Sequence, residues 1–282
     1  MSAQYCKHGH TKAAHPRCFE GLSLHEDTAM PKILIFDVEC APIQAFVWDL
    51  GKQWVRYHQV IHDKFILSWA AKWLFDNKIM SGVLKPEEAR HKDDRRIVES
   101  MWALLDEADI IIAHNGKRFD IKLMNTRFIL HEILPPMYYQ VIDTLEKARS
   151  TFSFSSNALD YVNMLMELDG KRETNFQLWV DCYAGNKKAL DKMVDYNKHD
   201  VVILEELYVR IRPWIKSHPN IGLYGNMEIE VCVTCGSSNL QSKGFYYTPA
   251  GRYDAFRCRN CGAPGRLRRS DLDKEQRKVL TA

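Results

Sequence analysis

Apolar residues dominate three short segments of the chain, which is the pattern of strands that are covered on both faces. The segments are residues 32–40, 65–73 and 109–113. Three other segments, residues 94–107, 121–130 and 187–214, instead carry apolar residues at helical spacing. Strands and helices that alternate in this way predict an α/β fold, with helices packed on a sheet.

Two carboxylates lie at the downstream end of the first predicted strand. Asp37 and Glu39 are two residues apart, so their side chains point to the same face of the strand. Two like charges side by side in a core are costly unless a cation neutralises them, and carboxylate oxygens suit Mg²⁺ or Mn²⁺. The alternative is a strand that ends in solvent with two ordinary surface acids.

Two further acids lie beside predicted helices. Asp120 is near a helix start, where a carboxylate can also simply interact with the helix dipole. Tyr196 and Asp200 are four residues apart in the long helix and share a face. The Tyr196 hydroxyl could orient a water beside a metal held by Asp200, or Tyr196 could be a core residue. His199 is rotated by roughly 100° from Asp200 on an ideal helix, so we do not expect it to be a catalytic base.

Together these residues resemble the DEDD exonucleases of the ribonuclease H-like superfamily, in the subtype whose third motif is Tyr-x3-Asp. The matching motifs are Phe-Asp37-Val-Glu39, His-Asn115-Gly-Lys-Arg-Phe119-Asp120 and Tyr196-Asn-Lys-His-Asp200. The resemblance covers residues 32–212 and is closest to the proofreading domains of family-B DNA polymerases and their stand-alone relatives, many from phages. The histidine subtype would need a histidine five residues before Asp200, where this chain has Asp195.

The resemblance implies a 3′→5′ exonuclease that hydrolyses phosphodiester bonds, on a ribonuclease H-like mixed sheet flanked by helices. Two divalent ions, Mg²⁺ or Mn²⁺, would be held by Asp37, Glu39, Asp120 and Asp200. In the family pattern Asp37 bridges both ions and Tyr196 positions the attacking water. Asn115 and Phe119 would contact the terminal nucleotide. The expected substrate is the 3′ end of single-stranded DNA, and proofreading would require a polymerase or another replication partner.

Three other functions stay open on the sequence alone. One is the same reaction on RNA, and another is a nucleic-acid-binding adaptor whose nuclease fold no longer cuts. The intact acids of all three motifs argue against the adaptor. A transposase-like or transcription-associated zinc-ribbon protein would explain the cysteine-rich tail but not the acids.

Asp143 is a fifth candidate acid. Because Glu146 follows it three residues later, Asp143 also has the pattern of a capping box that opens a helix at Thr144. Both roles stay open, and Asp143 is not included in the predicted catalytic set.

The eight cysteines are unevenly distributed. Two CxxC pairs with 22 residues between them have the pattern of a zinc ribbon with an intervening hairpin, and their cysteines are Cys232, Cys235, Cys258 and Cys261. The alternative is two disulfides, but no signal peptide is recognisable and a nuclease works in a reducing cytosol. We therefore expect one structural Zn²⁺ ion. Cys40 and Cys182 are expected to be packed free thiols.

A second group of metal-binding residue types lies near the start of the sequence. Cys6, His10, His15 and Cys18 are the expected ligands of a small zinc knuckle, a possible second zinc site. His8 is left out because it would crowd Cys6. The alternative is a disordered basic arm.

Charge is concentrated at the other end of the sequence. Residues 241–282 contain ten Lys or Arg and four acids, whereas the whole chain has a net charge of only +3. Basic side chains alternate there with Phe245, Tyr246, Tyr247, Tyr253 and Phe256. This mixture suits phosphate contact and base stacking, although the same aromatics could form the small core of the ribbon.

The predicted organisation has four parts. They are a Cys/His segment (1–31), the exonuclease domain (32–212), a linker (213–230), and a zinc ribbon with a basic tail (231–282). Trp48, Trp54 and Trp179 are expected mainly in the core, with a groove for a single strand as the alternative. No apolar run approaches the ~18 residues of a membrane span, so we expect a cytoplasmic protein of a bacterial or phage-infected cell.

Overall fold

A computed structural model describes residues 30–168, 174–225, 228–249 and 251–279. The candidate zinc ligands Cys6, His10, His15 and Cys18 lie outside the described residues. The chain divides into a large unit, Lys32–Ile211, and a smaller unit whose described residues lie mainly in 212–279.

The large unit is built on one five-stranded sheet. Its strands are β1 (Ile33–Cys40), β4 (Ile66–Trp73), β5 (Ile79–Val83), β6 (Ile110–Ala113) and β7 (Gln140–Asp143), and a separate two-stranded ribbon consists of β2 (Gln44–Ala45) and β3 (Val60–His62). The order in the sheet is β5-β4-β1-β6-β7. Strand β1 is parallel to β6 and antiparallel to β4, so the sheet is mixed. Leu34, Ile35 and Phe36 in β1 are fully buried, as an uninterrupted apolar run predicts for a central strand.

Seven helices surround this sheet in the described part of the large unit. They are α1 (Pro86–His91), α2 (Arg95–Glu107), α3 (Asp120–Leu130), α4 (Thr144–Thr151), α5 (Leu159–Leu165), α6 (Phe176–Tyr183) and α7 (Lys187–Ile211). Helix α7 packs against β4 and β1, whereas α2 packs against β4 and β5. The indole of Trp69 on β4 donates a hydrogen bond of 2.8 Å to the carbonyl of Ile97 in α2 and joins that helix to the sheet.

These elements confirm the predicted α/β fold class, a mixed sheet flanked by helices. The long helix ends at Ile211, three residues earlier than its apolar pattern predicts, and continues as a single 3₁₀ turn, Arg212–Trp214. The change of helix type coincides with Pro213, which has no N–H to donate to an α-helical bond.

The smaller unit contains a three-stranded antiparallel sheet. Its strands are β8 (Leu240–Thr248), β9 (Gly251–Cys258) and β10 (Pro264–Arg266), and a short helix, α8 (Lys274–Lys278), follows them. Part of the segment predicted to be a linker is folded within this unit. Ile221 begins a 3₁₀ turn, is 2% exposed, and donates its N–H to the carbonyl of Val233 at 2.8 Å.

Candidate active site

Three of the predicted metal ligands come together where β1 meets α7. Asp37 and Glu39 are half-buried, and Asp200 is 3% exposed. One carboxylate oxygen from each of the three lies within 4.8 Å of the other two. Carboxylates at this separation repel one another, and a shared hard divalent cation removes that repulsion. The group therefore fits Mg²⁺ or Mn²⁺.

The fourth predicted ligand, Asp120, lies beside this group and opens α3. It is 3% exposed, and its Oδ1 accepts a hydrogen bond of 3.1 Å from the N–H of Val38, the residue between the two acids of β1. Burial, together with the negative charges of Asp37 and Glu39, holds the pKa of Asp120 well above its usual range. A cation in this place would offset both effects, so the surroundings of Asp120 also fit a metal.

Asn197 holds Asp37 in place, a contact that the sequence reasoning did not identify. The Nδ2 of this fully buried residue donates to Asp37 Oδ2 at 2.5 Å. Its Oδ1 accepts a hydrogen bond of 3.1 Å from the hydroxyl of Ser68 on β4. The signal that could have found Asn197 is its spacing, since it precedes Asp200 by three residues and shares its helix face.

Trp179 on α6 holds the other acid of β1. Its Nε1 donates to Glu39 Oε2 at 3.1 Å. Its ring meets Tyr196 edge-on, with centroids 6.2 Å apart and an angle of 76° between the planes. Trp179 packs partly against the core, as its sequence predicts, but also contacts the site. Tyr196 is 3% exposed, and its role in positioning a water stays a prediction.

The two predicted nucleotide contacts lie in the turn between β6 and α3. Asn115 has a left-handed backbone with φ 67°. Gly116 is required beside it, because a Cβ there would lie 2.3 Å from the Cβ of Ala113. Phe119 is 36% exposed, and the ammonium of Lys64 lies 5.6 Å from its ring centroid. An aromatic face and a cation therefore lie together immediately before Asp120.

Asp143 acts as a cap and is not among the grouped carboxylates. It is fully buried, and its Oδ1 accepts hydrogen bonds from the N–H groups of Leu145 (3.1 Å) and Glu146 (3.3 Å) at the start of α4. Its two oxygens also accept the N–H groups of Asn115 (3.0 Å) and Lys117 (3.1 Å). Asp143 thus stabilises the turn that carries Asn115, and the capping interpretation accounts for it.

The cysteines of the two CxxC pairs form a second candidate metal centre. The sulfurs of Cys232, Cys235, Cys258 and Cys261 all lie within 4.8 Å of one another. The Cys232–Cys261 separation is 3.7 Å and the Cys235–Cys258 separation is 3.6 Å. A disulfide needs about 2.05 Å, whereas thiolates bound tetrahedrally at ~2.3 Å from one zinc ion lie ~3.8 Å apart. The spacing fits zinc and does not fit two disulfides.

The backbone around these cysteines is shaped for thiolates. Gly236 and Gly262 follow the two CxxC pairs with φ values of 72° and 79°. Burial raises the pKa of Cys258, but hydrogen bonds from the backbone amides of Cys261 and Asn260, together with those from the side chains of Cys235 and Cys261, lower the pKa to about 7. The surroundings of Cys258 therefore favour the thiolate, which is the form that binds zinc, whereas burial raises the pKa of Cys232 and of Cys261.

The hairpin of the smaller unit presents aromatic and guanidinium groups together. Arg252 lies 4.5 Å from the ring centroid of Phe245, and Arg266 lies 3.9 Å from that of Tyr253. Phe256 is 7% exposed, whereas Tyr247 is 69% exposed. The interpretation of these aromatics as a ribbon core therefore holds for Phe256, and much of the remaining aromatic surface faces solvent.

Trp48 and Trp54 do not lie in the core, so that expectation was wrong for both. Each is 93% exposed, and together with Phe46, Arg56 and other neighbours they line a groove of about 850 Å³. The segment that carries them connects the two strands of the small β2–β3 ribbon, which is separate from the main sheet. Apolar composition suggested burial, but it carries no information about whether another element covers the segment.

Comparison with known proteins agrees with this architecture. A model of the RNase H superfamily matches residues 73–212, which include Asp120, Tyr196 and Asp200 but begin after the two acids of β1. No curated protein matches the chain. Within the described residues, no helix is both long and apolar enough to cross a membrane.

One similar solved structure is the family B DNA polymerase from the hyperthermophilic archaeon Pyrobaculum calidifontis. The similarity covers 70% of this chain at 15% identity, with a TM-score of 0.48. It covers 26% of the polymerase, so this chain corresponds to about a quarter of that protein. The superfamily match and the mixed sheet flanked by helices agree, and the large unit has an RNase H-like fold.

Proposed function

We propose that the protein is a metal-dependent 3′→5′ exonuclease of the Tyr-x3-Asp subtype that removes nucleotides from single-stranded DNA. The observation that carries the proposal is the convergence of Asp37, Glu39 and Asp200 from two elements far apart in sequence. Asp120 adds a fourth carboxylate against the same strand. The RNase H superfamily match supports a nuclease, and the motif resemblance supports the polarity and the substrate.

The carboxylates would hold two Mg²⁺ or Mn²⁺ ions, which would lower the pKa of the attacking water and stabilise the leaving 3′-oxygen. Asn197 and Trp179 orient Asp37 and Glu39 through neutral donors. A neutral donor fixes a carboxylate without cancelling the negative charge that attracts the cation. Tyr196 would orient the water, and the turn before Asp120 would bind the terminal nucleotide.

The proposal includes a role for the smaller unit. The four cysteines would bind one structural zinc ion, and the aromatic and basic face of the hairpin would hold nucleic acid. Cys6, His10, His15 and Cys18 stay a prediction of a second zinc site.

A cleavage assay on end-labelled single-stranded DNA and RNA, with Mg²⁺ or Mn²⁺, tests the function. A ladder that shortens from the 3′ end of DNA is the expected result. If the ladder appears on RNA and not on DNA, the proposed substrate becomes RNA. Tight binding of both without any cleavage would favour the adaptor.

Replacement of Asn197 by alanine should reduce activity by about 10- to 100-fold, because an outer partner that orients a metal ligand usually contributes that much. The concentration of Mn²⁺ needed for half-maximal rate should rise as well, since Asp37 would lose its fixed orientation. Both quantities can be measured by steady-state cleavage under titration of the metal.

Asn163→Ala is the matched control for this prediction. Asn163 is also fully buried and donates to a carbonyl of α7, that of Ile203, at 3.4 Å. Its replacement should lower the melting temperature without changing the metal dependence. If the Asn197 and Asn163 variants need the same metal concentration for half-maximal rate, Asn197 contributes only to packing and the prediction is wrong.

Replacement of both Arg268 and Arg269, which are exposed in the smaller unit, should weaken the salt dependence of single-strand binding. Each lost phosphate contact should make the slope of log K against log salt less negative by about 0.7. Fluorescence anisotropy across a salt series measures the slope. Lys78→Ala, which removes an exposed cation of the large unit, serves as the control, and an unchanged slope in the arginine variant would contradict nucleic-acid binding at these residues.

A further inference from the structure

The segment from β2 to β3, residues 44–62, exposes unusually large apolar side chains, and we name it the aromatic arm. Trp48 and Trp54 are each 93% exposed, Tyr57 is 90% exposed, and Phe46 is 76% exposed. Single exposed apolar residues are ordinary, but contiguous ones mark a surface that another molecule covers.

The base of the aromatic arm has a defined structure. The N–H of Phe46 donates to the carbonyl of Gln59 at 3.0 Å, and the side chain of Gln59 donates back to the carbonyl of Phe46 at 3.1 Å. The N–H of Arg56 donates to Gln59 Oε1 at 2.8 Å, and the N–H of Gln59 donates to the carbonyl of Arg56 at 2.9 Å. Four hydrogen bonds through one residue hold the base closed, so the aromatic side chains project from an ordered support.

Helix α6 connects the arm to the candidate active site. Tyr183 donates its hydroxyl to Gln44 Oε1 at 2.6 Å, and its ring lies 6.4 Å from that of His62. It therefore contacts both ends of the arm. Trp179, four residues earlier on the same helix face, donates to Glu39. Residues four apart on a helix are separated by about 5–6 Å, so the arm begins roughly one helical turn from the acids.

The chemistry of the arm favours a single strand over other occupants. Arg56 lines the same groove as the two tryptophans, and Lys64 lies just beyond the arm, next to Phe119 of the predicted nucleotide contact. Aromatic faces stack on any base, and a few cations suffice for the phosphates between them. Because the arm begins roughly one helical turn from the acids, a nucleic-acid strand that reaches the acids would also reach the arm.

We infer that the aromatic arm binds single-stranded nucleic acid on the 5′ side of the terminal nucleotide, by stacking bases on Trp48 and Trp54. The inference rests on the proposed nuclease function, because that function brings a strand to the acids. The arm extends the site beyond the terminal nucleotide and makes the enzyme prefer long strands to mononucleotide substrates.

The test compares a strand of about 20 nucleotides with the p-nitrophenyl ester of thymidine 5′-phosphate, which has no neighbouring bases to stack. The quantity measured is the ratio of kcat/KM on the strand to kcat/KM on the ester. In the Trp48→Ala/Trp54→Ala protein this ratio should fall by at least about tenfold, since stacking of one base contributes substantially to binding. An unchanged ratio would overturn the inference.

Tyr138→Ala is the matched control, because Tyr138 is fully exposed just before β7, at the end of the parallel strands opposite to the acids. Its ratio should equal that of the unmodified protein. A loss as large as that of the tryptophan variant would show that any exposed aromatic has this effect and would contradict a specific arm.

Binding measured by anisotropy with Ca²⁺ in place of Mg²⁺ separates this inference from the proposed function. The tryptophan variant should bind the strand at least about tenfold more weakly, with an unchanged salt slope, and both proteins should bind an abasic strand equally. If neither substrate is hydrolysed but these differences appear, the nuclease proposal fails and the arm remains a strand-binding element. If the substitutions instead dissociate a dimer and leave strand binding unchanged, the occupant is a second copy and the inference is wrong.

Discussion

Asp37→Ala should lower kcat/KM for single-stranded DNA by at least about 10³-fold. Asp37 belongs to the carboxylate group and is held by Asn197, so under the proposed function its removal would take away a metal ligand and its fixed geometry. A metal ion contributes several kcal/mol to stabilising the charge of the transition state, and each ~1.4 kcal/mol corresponds to a tenfold change in rate. Quantitative gel assays with Mg²⁺ and with Mn²⁺ measure the loss.

The fold of this variant should persist, because Asp37 is half-buried and its carboxylate repels those of Glu39 and Asp200. Circular dichroism and a thermal melt check this. Asp76→Ala, which removes an exposed carboxylate of the loop after β4, should cleave like the unmodified protein. Cleavage by the Asp37 variant at a similar rate would remove Asp37 from the site.

The acids could be identified from the sequence because local periodicity places each of them. Alternation in β1 puts Asp37 and Glu39 on one face, and the helical repeat puts Tyr196 and Asp200 on one face. Neither rule says that the strand and the helix meet. The motif resemblance supplied that expectation, and the structure brings Asp37, Glu39 and Asp200 into one group.

The residues that support these acids could not be found in the same way. Trp179 reaches Glu39 across 140 positions of the chain, and Asn197 reaches Asp37 across 160. Many polar side chains could have donated those hydrogen bonds. Which residues do so depends on how the helices pack on the sheet. Trp48 illustrates a different limit. An apolar side chain is buried only where another element of the fold covers it, and the sequence of this segment does not show whether one does.

Cys258→Ser should unfold the smaller unit while the large unit remains folded. The buried apolar cluster around the cysteines contains little besides the four cysteines, Leu240 and Ala263, so it supplies little hydrophobic stabilisation. Structural zinc contributes about 10–16 kcal/mol in small zinc domains, which matches or exceeds the ~5–15 kcal/mol stability of a typical domain. Loss of one thiolate should therefore remove both the ion and the fold that depends on it.

Zinc content by mass spectrometry should fall by one ion per chain in this variant, and limited proteolysis should cut first within residues 228–279. Arg259→Ser, which changes the next residue of the same CxxC pair and leaves all four sulfurs in place, should keep the zinc and the resistance to protease. Under the proposed function, hydrolysis of a mononucleotide ester would depend on the carboxylates of the large unit, so the Cys258 variant should retain it while its affinity for long strands falls. If the variant keeps its zinc, the sulfur arrangement is not a metal centre, and the small sheet must be stable through its hairpin alone.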